Sequence, residues 1–114
     1  MGDARPYLGS AVSASYVVDF DLYRGIHMVV RFTTQGPEVT DYALALIAQR
    51  GGRVETIRTY DSAHGHNEMH RYTSSGGKQT GKPFHSGTLG EGLRLAIEEI
   101  KVGHHKMIEG WERR

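Results

Sequence analysis

Three of the chain's seven histidines fall within seven positions, in the stretch "YDSAHGHNEMHRY" from Tyr60 to Tyr72. Asp61, Glu68 and Arg71 stand among them. In a strand, alternate side chains share a face, so His64, His66, Glu68 and His70 can form one row that Tyr72 extends. Asn67, Met69 and Arg71 then point the other way. Asp61 and Gly65 mark a turn at the entrance, which can take His64 out of the row. If Met69 faces a core, the histidines face the uncovered side of a sheet.

Three readings follow from these residue types. In the first, His66 and His70 exchange protons, because imidazole titrates near neutral pH and can both give and take one. RNA cleavage without metal needs a base for the 2′-hydroxyl, an acid for the leaving oxygen, and a cation for the phosphorane charge. Arg71, Lys78 and Lys82 are the candidate cations, and Asp61 is placed to orient a histidine rather than to attack. From Arg50 to His85 there are six Lys or Arg against three Asp or Glu, with four His. In the second reading, His64, His66 and His70 bind zinc with Glu68 or His85; the ligand types suit zinc, but the spacing is not a standard one. In the third, the row is the polar open face of an antiparallel sheet and does no chemistry.

The elements that must carry this segment read mostly as strands. The length of 114 residues suits a single domain, spanning 1–114 with a loose terminus over 1–12. "SASYVVDFDLY" is rich in β-branched and aromatic residues. "IHMVVRFTT" alternates cleanly, with Ile26, Met28, Val30 and Phe32 on one face. "VTDYALALIAQR" fits either a strand or a short helix; the Gly51-Gly52 pair and the strand-like "RVETIRTY" beyond it favour a hairpin. The Gly, Ser and Thr content of "SSGGKQTGKPFHSG" predicts a loop for most of its length. From Thr88 the period becomes helical, with Thr88 and Glu91 as a capping box and Leu93, Ala96, Ile97 and Ile100 on one face. Gly90 and Gly92 weaken the first turn, and Gly103 is placed to end or bend the helix. The expected architecture is α+β: an antiparallel sheet of four to five strands with one long C-terminal helix packed on one face.

The totals bound the function. The formal net charge is +1, so nucleic-acid contact must come from a local patch. The absence of cysteine excludes disulfides, thiolate zinc sites and thiol catalysis. No long apolar run suggests a signal peptide or membrane span, and the expectation is a cytoplasmic protein.

"TYDSAHGHNEMHRY" followed by "GKPFHSGTLGEGLRLAIEEI" resembles the TumE-like toxin family of bacterial toxin–antitoxin systems. The matching positions are Tyr60, Asp61, Gly65, His66, His70, Arg71 and the Pro83-Phe84 pair, and the hairpin "YALALIAQRGGRVETIRTYD" is similar to the family's strand–turn–strand lead-in. Ser62 stands where an Asn is usual. The resemblance implies a growth-inhibiting, RNA-cleaving toxin neutralised by a cognate antitoxin protein, and it implies a strand over Thr40 to Ala48.

His85 can reach over the sheet to pair with His70, or stand as a solvated loop histidine. Tyr72, Lys78, Lys82 and His85 are the candidate substrate contacts, and Tyr42, Tyr60 and Tyr72 are candidates to stack bases. His104 and His105 are favourable charges near a helix end. Met107, Ile108 and Trp111 form an apolar stripe that belongs to the core. The leading reading is a metal-independent ribonuclease with no cofactor and no metal ligand. The rivals are a non-catalytic binding protein that uses the same face, and a zinc-dependent hydrolase.

Overall fold

The computed structural model describes residues 10–113, so the first nine residues of the expected loose terminus lie outside it. Four long strands, β1 (Val12–Asp21), β2 (Ile26–Gln35), β3 (Glu38–Arg50) and β4 (Arg53–Asp61), run as successive antiparallel hairpins. β5 (Asn67–Thr73) pairs with β4, and α1 (Leu89–Glu112) closes the chain. The turns follow from glycine. Gly51 and Gly52 both hold positive φ, at 54° and 80°, which suits a two-residue hairpin loop whose twist matches its strands.

The ambiguous segment is a strand, β3, despite the helix propensity of its Ala and Leu residues. Alternation decides it. Tyr42, Leu44, Leu46 and Ala48 are buried on one face, in register with Phe32, Val30, Met28 and Ile26 of β2. That face forms the core with Ile57, Tyr60, Leu93, Ala96, Ile100, Ile108 and Trp111. Tertiary packing overrides local propensity here.

Two expectations need correction. The described sheet has seven strands, not four to five. The extra two are β6 (Gly77–Lys78) and β7 (Lys82–His85), inside the segment expected to be a loop. Both pair with the outer edge of β5, β6 at one end and β7 at the other. They satisfy amide groups that an uncovered β5 would leave open. Pro83 fits because β7 is itself an edge strand, where a missing N–H costs no ladder bond. Second, Gly103 does not end the helix: α1 runs unbroken for 24 residues.

Tyr42 and Tyr60 are fully buried and cannot stack bases. Tyr60 donates to Glu99 Oε2 at 2.6 Å, tying α1 to β4. Burial first, and then this bond, push its pKa up to about 12, so the hydroxyl stays a donor. Burial likewise raises the Tyr42 pKa. Tyr42 donates to Asn67 Oδ1 at 2.7 Å. Asn67 Nδ2 lies 3.3, 3.1 and 3.1 Å from the carbonyls of His85, Gly87 and Thr88. One buried amide thus holds β5, the end of β7 and the helix start together. Gly92 faces this carboxamide so closely that a β-carbon would collide with it. The expected capping box is present: Thr88 Oγ1 accepts from Glu91 N at 3.1 Å, and Glu91 Oε1 accepts from Thr88 N at 3.1 Å. Among the described residues, no helix is long and apolar enough to cross a membrane.

Candidate acid–base site on the open sheet face

Met69 packs against the core and pairs with Tyr60 across β4–β5. Strand alternation therefore sends Glu68 and His70 to the open face, as the row in the sequence predicts, while Tyr72 borders both the open face and the helix-side cavity and packs in part against the core. Asp61 pairs with Glu68, and Thr59 with His70. His64 and His66 precede the strand, in the turn centred on Gly65 (φ 81°), and lean back over it.

Glu68 is the centre of the cluster. Its Oε2 lies 2.9 Å from His64 Nδ1 and 3.2 Å from His66 Nε2, and its Oε1 lies 3.4 Å from His70 Nε2. The hydrogen bond to Glu68, then its charge, raise the His64 pKa, and the same bond lowers that of Glu68. His70 is the enclosed member, its side chain 11% exposed against 69% for His64 and 54% for His66. His70 Nδ1 lies 3.0 Å from the Gln79 carbonyl. A carbonyl only accepts, so Nδ1 carries the proton and Nε2 is the basic nitrogen of the neutral ring. That nitrogen faces Glu68 and, at 4.0 Å, Asp61 Oδ2. The Asp61 contact is longer than a hydrogen bond. Its Oδ1 instead accepts from Ala63 N at 3.0 Å and shapes the turn that carries His64 and His66.

Beside this cluster the open face dips. Ala43 and Ala45 form the floor of a groove of about 320 Å³, with Asp61, Tyr72, Lys78 and Thr59 also lining it. Small side chains on β3 create the depression. Lys78 pairs with Tyr72 and so lies on this face, and its charge bears on His64. The Thr59 hydroxyl is the one buried side-chain polar atom without a partner among the described residues.

The site thus gathers His66, His70, Asp61, Tyr72 and Lys78. Arg71, Lys82 and His85 do not join it. Arg71 pairs with Arg58, and Lys82 with Met69, both on the helix side. His85 Nε2 lies 3.1 Å from Glu91 Oε1 at the start of α1. Alternation explains all three: they differ in parity from His70 or pair with residues that do. The reading of the sequence missed Gln79, Gly81 and Thr59, and left Glu68 out of the acid–base set. Glu68 had a signal, its place in the row two residues from both His66 and His70. Gly81 had none: only the pairing of β7 with β5 brings it to where a β-carbon would strike the Glu68 carboxylate and the His70 ring.

Among the described residues, no group of three or more His, Cys, Asp or Glu is arranged to hold a metal ion. The nitrogens of His64 and His66 both address one Glu68 oxygen instead of a shared point between the side chains.

No protein-family model, curated protein or solved structure matches the chain.

Proposed function

We propose that this chain is a metal-independent ribonuclease of the toxin type, acting in the cytoplasm and held in check by a cognate antitoxin protein. The observation that carries the reading is the setting of His70. Its Nδ1 is pinned by the Gln79 carbonyl, its Nε2 stands beside Glu68, and a groove with Lys78 adjoins it. In this account His70 Nε2 takes the proton of the 2′-hydroxyl. The 2′-oxygen bonds to phosphorus, and the bond from phosphorus to the 5′-oxygen breaks. His66 protonates that oxygen, and Lys78 offsets the charge of the phosphorane. Glu68 compensates the positive charge on His70 once the proton has moved. Tyr72 offers a face for a base. Lys78 takes the role that the sequence offered to Arg71 or a loop lysine.

The resemblance of the Tyr60–Tyr72 segment to TumE-like toxins supports the same reading. Val12, Tyr16 and Val17, exposed on the edge strand β1, support a protein partner. A binding role without turnover is favoured by one feature, the engagement of both His64 and His66 by a single carboxylate.

The test is the chemistry of the ends. Attack by the 2′-oxygen leaves a 2′,3′-cyclic phosphate and a 5′-hydroxyl, and it cannot occur where the sugar is 2′-deoxy. Mass spectrometry of the products of an RNA oligonucleotide, beside its all-deoxy counterpart, separates the readings. Cyclic ends from RNA alone are expected. Cleavage of both substrates, or 5′-phosphate ends, would contradict the mechanism. Tight binding with no product would favour the binding role.

A further inference from the structure

On the helix side of β5, away from the histidines, lies a cavity of about 190 Å³ between the sheet and the last turns of α1. Arg58, Arg71 and Lys106 line it, and no carboxylate does. Arg58 and Arg71 stand directly opposite each other across the β4–β5 pair. Like charges in that position repel. None of the three cations makes an ion pair among the described residues. Arg58 Nη1 instead donates to the Tyr60 hydroxyl at 3.4 Å, and the proton of that hydroxyl goes to Glu99. Glu99 therefore answers Arg58 only through a tyrosine. Arg71 also borders a second concavity on this side with Lys82, which extends the positive surface along β5.

We propose that this cavity binds a phosphoryl group. Two guanidinium groups that line the cavity from neighbouring strands offer planar forks to its oxygens, and Lys106 adds a point charge from the helix. An anion between them turns the repulsion of the Arg58–Arg71 pair into two attractions. The site is separate from the histidine cluster and does not depend on ribonuclease activity. Its phosphate belongs either to a small molecule or to a nucleic-acid backbone, which present the same oxygens.

Isothermal titration with three probes distinguishes these sources: inorganic phosphate, adenosine 5′-monophosphate, and a 2′-O-methyl RNA octamer that cannot be cleaved through its 2′-oxygen. Each probe is titrated into the wild type, Arg71→Gln and Lys106→Gln, with folding checked by circular dichroism. Lys106 is exposed on α1, so its variant remains informative if the arginine variant fails to fold. At least one probe is expected to bind the wild type and to lose about tenfold or more in affinity in the variants, in line with charge-assisted hydrogen bonds. Dependence on Arg71 and Lys106 for the octamer alone identifies the backbone as the source; dependence for the two small probes identifies a free phosphate. Failure of all three to bind, or equal binding to wild type and variants, overturns the proposal.

Discussion

At the scale of single residues, the histidine cluster is organised by a carboxylate. Glu68 touches three imidazoles, and its pairing with His64 has a defined pH signature. The His64 pKa is raised above the usual 6.5, so its contribution to stability is complete below that value and lost as pH climbs through the raised one. The Glu68 pKa is lowered below the usual 4.5, so its share is complete above that value and lost as pH falls through the lowered one. The pair thus stabilises the fold most between about 4.5 and 6.5. Thermal melts of wild type and His64→Ala across pH should show their largest gap in that window and a shrinking gap above it. A gap that widened with rising pH would contradict the pairing. Gly81 supplies a second prediction. A side chain there displaces Glu68 and the His70 ring, so Gly81→Ala should lower RNA turnover at least tenfold while moving the melting temperature little. Steady-state kinetics beside a melt separates the two effects.

At the scale of elements, the paired fate of two helix glycines tests how α1 is seated. Propensity alone makes Gly→Ala in a helix favourable by about 1 kcal/mol. Gly110 meets nothing within 4 Å, so Gly110→Ala should be stabilising by roughly that amount. Gly92 faces the Asn67 carboxamide, so Gly92→Ala should be destabilising in spite of propensity. Asn67→Ala removes the side-chain donor to the carbonyls of His85 and Gly87 and the acceptor of the Tyr42 hydroxyl, and should cost roughly 3 kcal/mol in urea unfolding. This seating also marks the limit of what the sequence made legible. The alternation of Glu68 and His70 on one face, and of Met69 and Arg71 on the other, needed only the period of a strand. The capping box needed only local spacing. The closure of Gln79 on His70, and of Gly81 on Glu68, needed β6 and β7 to fold back along β5. Two short strands in a run of Gly, Ser and Thr carry no periodic signal. Gly92 read as a weakness of the helix because its partner lies 25 positions upstream in the chain.

At the scale of the whole molecule, the described chain is elongated, 61 × 27 × 22 Å. Its radius of gyration, 16.2 Å, exceeds the roughly 13 Å of a compact domain of about 100 residues. α1 lies over β3, β4 and β5, while much of β1 projects beyond its cover, with Tyr16 and Val17 exposed. Stability is therefore graded along the sheet, and amide hydrogen exchange should be fastest in β1 among the long strands and slowest in β3 and β4. The groove and the histidines sit near the well-covered end, on the opposite side of the sheet from α1, where a rigid floor can hold catalytic groups in place. The most direct test of the central claim is RNA cleavage by the purified protein with and without EDTA, beside His70→Ala prepared identically. Cleavage is expected to survive EDTA and to fall by at least a hundredfold in the variant, as for loss of a general base. No cleavage by the wild type, equal cleavage by the variant, or loss of activity with the chelator would contradict the claim.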